Sequence, residues 1–165
     1  LVYDLGGGTF DVSLVELVGG VVEVRATHGD THLGGDDFDQ LLAEHAANLF
    51  TQNHQVDLHD NRRALARLNR AAEAAKVHLS DFPTATLREE NLAEKNGAPL
   101  HLETDIDRDE FEEMIGDLLE QTAESMDKVL ADAELDTEDL SRVLLVGGST
   151  RIPAVWELVA DCLIL

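Results

Sequence analysis

The pattern of apolar and polar positions predicts three short strands at the start of the chain. Leu1–Leu5 is an apolar run that carries one carboxylate, whereas Phe10–Leu17 and Val21–Ala26 alternate roughly between apolar and polar residues, as half-buried strands do. Gly19-Gly20 joins the last two strands and indicates a tight hairpin. A later apolar run, Val143–Val146, is typical of a central strand that is covered on both faces.

Apolar residues at helical spacing predict four helices. These helices are placed at about residues 36–50, 61–80, 107–133 and 153–163. Asp36 or Asp37 is expected to cap the first helix, and Phe82-Pro83 ends the second because the residue before proline disfavours helix. Asp107 with Glu110 resembles a capping box at the start of the third.

The segments between these helices predict a loop and a β-hairpin. Residues 51–60 are polar, and residues 84–106 suggest two strands with Asn96-Gly97 as the turn. Glu89-Glu90-Asn91 is a poor strand sequence. The order of elements indicates an α/β sheet domain with a helical and hairpin insertion. The chain starts inside a strand and ends in the apolar run Leu163–Leu165, so we expect it to be part of a longer protein.

Composition narrows the classes of partner. The 165 residues include 34 acidic and 12 basic side chains, for a formal net charge of −22. Such a surface argues against binding to nucleic acids and to anionic membranes, because both require Lys and Arg. The single cysteine, Cys162, excludes an intrachain disulfide and favours a reducing compartment, which we expect to be the cytoplasm. His, Cys and carboxylate residues show no metal-ligand spacing.

The first strand runs into a triple glycine, Gly6-Gly7-Gly8, which is followed by Thr9. Glycines let the backbone turn sharply and let its N–H groups approach an anion such as a phosphate. Asp4 precedes this turn and is placed to hold a hydrated Mg²⁺, which keeps several waters when it is bound. The alternative is a glycine-rich hairpin turn with a solvated aspartate.

Two further stretches contain glycine pairs. The loop Gly29-Asp30-Thr31-His32-Leu33-Gly34-Gly35 precedes the first helix, where Gly34 and Gly35 allow either close packing of that helix or a second approach to a ligand. The last strand leads into Gly147-Gly148-Ser149-Thr150-Arg151-Ile152-Pro153, with proline near the first helical position. Nucleotides commonly bind outside the carboxyl ends of strands in α/β sheets, facing a helix N-terminus.

The second helix carries polar residues beside its apolar stripe. Glu73, Lys76 and Ser80 are spaced by three and four residues, so they share one edge of the helix. The simplest interpretation is a surface Glu–Lys pair, which stabilises a helix by only a few tenths of a kcal/mol.

Taken together, four stretches closely resemble the nucleotide-binding domain of the seventy-kilodalton heat-shock chaperones, the DnaK type. They are Asp4–Asp11, Gly29–Gly35, Glu73-x-x-Lys76-x-x-x-Ser80 and Gly147–Pro153. The resemblance implies an actin-like, ribonuclease-H-like fold in which ATP lies between two lobes, and it matches this chain to the second lobe. Residues 1–36 and 108–165 would form its sheet subdomain, and residues 37–107 an inserted peripheral subdomain.

The resemblance also implies roles for individual residues around ATP or ADP and Mg²⁺. Gly6, Gly7, Gly8 and Thr9 would cradle the β- and γ-phosphates, and Asp4 would orient Mg²⁺-bound water and the reacting phosphoryl group. Gly34 and Gly35 would lie near the ribose and phosphates, and Glu73, Lys76 and Ser80 would bind the ribose and adenine edge. Behind the adenosine would lie Gly147, Gly148 and Ser149. Arg151 would pack on the adenine face.

Two positions depart from the family pattern. Val77 stands where the family often has an arginine on the other adenine face, which predicts weaker adenine binding, and Asp36 stands where a glutamate is usual. The first lobe, with its phosphate loop and catalytic lysine, and the peptide-binding domain would lie outside this chain.

The function implied is therefore the ATP-binding lobe of a chaperone ATPase that serves unfolded client peptides with J-domain co-chaperones and exchange factors. The lobe alone is expected to hydrolyse ATP negligibly. A nucleotide sensor or co-chaperone relative without hydrolysis is the alternative, and an actin-like filament protein or a sugar kinase fits the four stretches less well.

Overall fold

The computed structural model describes residues 1–163, so the apolar end expected at residues 164–165 lies outside the described residues. Within them the elements follow the predicted order. They are β1 (Val2–Leu5), β2 (Phe10–Val18), β3 (Val21–Asp30), α1 (Gly35–His54), α2 (Arg62–Asp81), β4 (Thr84–Lys95), β5 (Ala98–Asp107), α3 (Arg108–Ala133), β6 (Leu144–Val146) and α4 (Pro153–Leu163), with short 3-10 turns at Thr137–Asp139 and Gly148–Arg151.

The chain divides into two compact units. The first contains Leu1–Asp37 and the chain from Gly116 onward, and the second contains Phe38–Ile115. No helix among the described residues is long and apolar enough to cross a membrane.

The first unit is built on a four-stranded sheet in the order β3-β2-β1-β6. The first three strands are antiparallel, and β6 runs parallel to β1 with Val2 opposite Leu144. Alternate residues of β1 and β2 point into the core, as their pattern predicted; these are Tyr3, Leu5, Phe10, Val12 and Leu14. The Gly19-Gly20 hairpin is confirmed, because both glycines have positive φ angles of 58° and 86°, as a primed turn requires.

The strand β3 is longer than its sequence suggested. We expected it to end at Ala26, but it continues to Asp30 and pairs with the start of β2. Gly29 explains the difference, because a Cβ atom there would lie 2.4 Å from the carbonyl oxygen of Phe10. This glycine serves the close approach of two strands and not, as its neighbours suggested, a loop.

The prediction of β6 as a central strand covered on both faces is not met within residues 1–163. Within the described residues β6 lies at the edge of the sheet, and Leu144 and Val146 are 48% and 44% exposed. A continuous apolar run does not distinguish an edge strand from a central one, because periodicity reports the faces of a strand and not its neighbours.

The second unit places α2 against the β4–β5 hairpin. Asn61 caps α2 by accepting a hydrogen bond from the backbone N–H of Ala64, and α2 ends at Asp81 before the capping residue Phe82, as predicted. The buried face of α2 consists of Ala64, Leu68, Ala72, Ala75 and Leu79. The helix α1 extends to His54 and so takes up four residues of the predicted loop.

The β4–β5 hairpin turns at Asn96-Gly97, as predicted, with positive φ at both residues. Its register shifts between Glu89 and Ala93, where Asn91 has a φ of 51°. Arg67 of α2 binds this bulge by donating hydrogen bonds to the backbone carbonyl oxygens of Asn91 (3.1 Å) and Glu90 (2.7 Å). The unfavourable strand sequence therefore marks a bulge that a helix side chain supports.

The helix α3 begins after Asp107, whose carboxylate accepts a hydrogen bond from the backbone N–H of Glu110 at 2.8 Å. This confirms the predicted cap. In the first unit, α3 buries two hydroxyl groups that its apolar pattern did not reveal, those of Thr122 and Ser125.

Candidate functional site

Three glycine-bearing loops of the first unit meet at one edge of the sheet. We name them the first glycine loop (Gly6–Thr9, after β1), the second (Leu33–Asp36, at the start of α1) and the third (Gly147–Arg151, after β6). Because β1 and β6 are parallel neighbours, the first and third loops leave the sheet at the same end, which is where α/β sheets bind ligands.

The second glycine loop packs directly on the first. The backbone N–H groups of Gly35 and Asp36 donate to the carbonyl oxygens of Gly6 and Gly7 at 2.9 and 2.7 Å. A Cβ atom on Gly34 would lie 2.3 Å from the carbonyl oxygen of Gly7, so only glycine fits there. Gly34 therefore allows close packing at the start of α1, as one alternative predicted, and the surface on which it packs is the first glycine loop.

The expected caps of α1 need a correction. The helix begins at Gly35, so Asp36 and Asp37 lie in its first turn and neither is the residue that precedes the helix. The carboxylate of Asp37 instead reaches back and accepts a hydrogen bond from the backbone N–H of Gly34 at 2.8 Å, as the third residue of a capping box does.

The third glycine loop packs against the end of β1. Gly147 has a φ of 94°, and a Cβ atom there would lie 2.2 Å from the carbonyl oxygen of Leu5. The hydroxyl of Ser149 donates to the carbonyl oxygen of Gly6 at 3.2 Å. A 3-10 turn follows and places exposed Arg151 at its end, so the glycine pair leads into α4 through this turn.

The first glycine loop presents backbone donors to solvent. Gly7 and Gly8 are exposed, and within residues 1–163 their N–H groups donate to no protein acceptor. Neighbouring N–H groups in a turn, with no side chain above them, form a concavity that suits an anionic group. The loop therefore fits a phosphate, which could replace the water at these donors.

One carboxylate borders the first glycine loop and another borders the third. The Oδ1 atom of Asp36 lies 3.0 Å from the position of a Cβ on Gly7, and Oδ1 of Asp4 lies 3.0 Å from that of a Cβ on Gly147. No group of three or more His, Cys, Asp or Glu side chains among the described residues could hold a metal ion. The donor set fits a cation that keeps most of its water, as Mg²⁺ does.

Two buried hydroxyl groups connect β1, the strand that carries Asp4, to α3. Tyr3 donates to the hydroxyl of Thr122 at 2.8 Å, and Thr122 donates to the carbonyl oxygen of Leu119 at 2.6 Å. Burial raises the pKa of Tyr3 to about 12. The end of β1 is thereby anchored to α3.

The family model described as Hsp70 protein matches residues 1–164. The chain belongs to the Hsp70 protein family. Members of the Hsp70 family are chaperones that bind ATP or ADP with Mg²⁺ and work with client peptides and co-chaperones. The α/β sheet and helices are those of an actin-like ATPase lobe of Hsp70.

The second unit contains the other residues that the Hsp70 resemblance assigns to the nucleotide. Glu73 is exposed, and Ser80 donates to the backbone carbonyl oxygen of Lys76 at 3.4 Å. Lys76 forms an ion pair with Asp39 of α1, a partner that helical spacing did not reveal. Val77 is 61% exposed.

Asp39 is a residue of interest that the sequence analysis did not single out. It is 8% exposed, and it follows the fully buried Phe38 on the apolar side of α1. The sequence signal for Asp39 is its acidic side chain within the apolar stripe of α1, because a buried carboxylate requires a partner.

Proposed function

We propose that this chain is the second lobe of the nucleotide-binding domain of a DnaK-type chaperone and binds Mg-ATP and Mg-ADP. The observation that carries the proposal is the meeting of three glycine loops around the exposed N–H groups of Gly7 and Gly8. In this proposal, residues 1–36 and 108–165 form the sheet subdomain and residues 37–107 the inserted subdomain.

The proposed phosphate contacts belong to the first glycine loop. The N–H groups of Gly7 and Gly8 and the hydroxyl of Thr9 bind the β- and γ-phosphates, and Asp4 accepts hydrogen bonds from water on Mg²⁺. Gly6 shapes the turn beside the phosphates, because its N–H donates to the carbonyl oxygen of Thr9 at 3.0 Å. The metal, when bound, neutralises charge on the phosphate oxygens. This compensation matters because the carboxylates of Asp36, beside the first glycine loop, and of Asp4, beside the third, would repel a bare polyphosphate.

The proposed nucleoside contacts are those that the Hsp70 resemblance implies. Gly34 and Gly35 lie near the ribose and phosphates, whereas Gly147, Gly148 and Ser149 back the adenosine. Arg151 packs its flat, weakly hydrated guanidinium on the adenine. The ribose and adenine edge are bound by Glu73, Lys76 and Ser80.

In the whole protein, ATP hydrolysis is proposed to drive binding and release of client peptides during protein folding in the cytoplasm, including under stress. A J-domain co-chaperone and an exchange factor are the expected partners. Phosphoryl transfer requires electrostatic contacts from several sides at once. This lobe alone is therefore expected to bind nucleotide and to release phosphate negligibly.

Calorimetric titration with Mg-ADP tests the proposal. Gly8→Ala adds a methyl group to the loop where the nearest other side-chain atom, Oδ2 of Asp36, is 3.8 Å away, so the fold tolerates it while a phosphate is kept away. The matched control is Gly116→Ala on α3, where an added Cβ meets nothing within 4 Å. We expect Gly8→Ala to weaken binding at least about tenfold, the equivalent of one charge-assisted hydrogen bond.

Two results would contradict the proposal: a wild-type chain that does not bind Mg-ADP, or equal affinity in Gly8→Ala and wild type. The exposed Val77 favours a second candidate, a nucleotide sensor that does not hydrolyse ATP. A single-turnover assay on the whole protein separates the two, because a sensor binds Mg-ATP and releases no phosphate.

A further inference from the structure

Asp39 and Lys76 form a buried ion pair between two helices of the second unit. The ammonium nitrogen of Lys76 lies 2.8 Å from Oδ1 and 2.9 Å from Oδ2 of Asp39, and each side chain is only 12% exposed. The other lysines differ. Lys128 lies 3.9 Å from Glu124 and is 54% exposed, and Lys95 makes an exposed contact with the backbone of His54.

A pair of this kind contributes little to net stability. Removing both charges from water costs several kcal/mol per ion, and the attraction between them returns a similar amount. Its geometric effect is larger. A lysine side chain has four flexible methylene groups, whereas Asp39 is short and lies beside the fully buried residues Phe38 and Leu42 of α1. The carboxylate therefore holds the ammonium in one place.

We propose that Asp39 is a positioning residue for nucleotide binding and acts through Lys76. The inference rests on the proposed function, in which Lys76 binds the ribose. Asp39 orders the lysine before the ligand arrives, so the conformational entropy of its side chain is lost on folding and not on binding. The ligand class is a nucleoside di- or triphosphate whose ribose hydroxyls accept hydrogen bonds from the ammonium.

A double-mutant cycle on affinity tests this role. The variants are Asp39→Asn, Lys76→Met and the double mutant, and the control is Glu44→Gln, which removes one charge from an exposed position of α1. We expect Asp39→Asn to weaken Mg-ADP binding roughly tenfold when Lys76 is present, and less than about twofold in the Lys76→Met background. Glu44→Gln should leave the affinity at the wild-type value.

Asp39→Asn leaves an ammonium buried without its countercharge, which destabilises proteins strongly. Asp39→Glu therefore provides a second arm, because it keeps the charge and moves the carboxylate by one methylene group. It should weaken binding when Lys76 is present and have no effect in the Lys76→Met background. Circular dichroism establishes that each variant is folded at the temperature of the titration.

The outcomes separate this inference from the proposed function. Equal losses of affinity in both lysine backgrounds, or no loss in either, would refute the positioning role, since a purely structural effect does not depend on Lys76. Absence of Mg-ADP binding by the wild-type chain would instead refute the proposed function, and the inference with it.

Discussion

Replacing Gly34 by alanine tests the packing of the second glycine loop on the first. The added Cβ would lie 2.3, 2.7 and 2.9 Å from the O and C atoms of Gly7 and the N atom of Gly8. All three are backbone atoms, so the loops must separate. Overpacking of this kind costs about 1–3 kcal/mol. Separation also weakens the hydrogen bonds that Gly35 and Asp36 donate to the first loop, each contributing about 0.5–1.5 kcal/mol.

The expected loss in the free energy of unfolding is therefore about 2–6 kcal/mol, from the sum of these two effects. It is a large part of the roughly 5–15 kcal/mol that stabilises an ordinary domain. Urea unfolding followed by circular dichroism measures the loss. Gly148→Ala is the matched loop control, because a Cβ there meets nothing within 4 Å. A Gly34→Ala stability within about 0.5 kcal/mol of wild type, the range typical of surface substitutions, would refute the reasoning.

The other predictions concern adenine binding and two titrating groups. Val77→Arg should tighten Mg-ADP binding about two- to fivefold, because an exposed cation–π contact contributes about 0.5–1 kcal/mol; unchanged affinity in the titration would contradict this. The side-chain hydrogen bond to Asp57 raises the pKa of His59 above 6.5, whereas the hydrogen bond from the backbone N–H of His59, followed by the side-chain one, lowers the pKa of Asp57 below 3.8. Asp57→Asn should therefore lower the midpoint of the His59 titration followed by NMR. The pair stabilises the fold most between pH 3.8 and 6.5, since the contribution of Asp57 is lost as the pH falls and that of His59 as it rises. Tyr3→Phe should lower the free energy of unfolding by about 1 kcal/mol at neutral pH. In the wild type the buried phenol ionises at a higher pH than the unfolded one, so stability is lost between pH 10 and 12. Tyr3→Phe should abolish this part of the loss, and unfolding curves at pH 7 and pH 11 measure both effects.

The order and type of the elements could be predicted because they depend on local patterns. Alternation and paired glycines identified the β2–β3 hairpin, and Asn96-Gly97 identified the turn of the second hairpin. The length of β3 could not be predicted. Thr27–Asp30 has the composition of a loop and becomes strand only because it pairs with β2.

The sequence predicted the loops of the candidate site but not the contacts between them. The three glycine loops were identified from their composition, but the packing of Gly34 on Gly7 joins residues that no local pattern links. The ion pair of Lys76 with Asp39 is a similar case, since the partners lie 37 positions apart in the sequence. Helical spacing pointed to Glu73 as the partner of Lys76 and gave no sign of Asp39.

The sheet of the first unit joins distant parts of the chain, and this determines when it can be completed during synthesis. The backbone nitrogen of Leu1 donates to the carbonyl oxygen of Arg142, 141 residues away, and β1 pairs with β6. The second unit is a continuous stretch, Phe38–Ile115. A ribosome therefore synthesises all of the second unit before it makes β6. Closing a long loop is slow. The side of β1 that pairs with β6 therefore stays unpaired during synthesis, while the second unit can already fold.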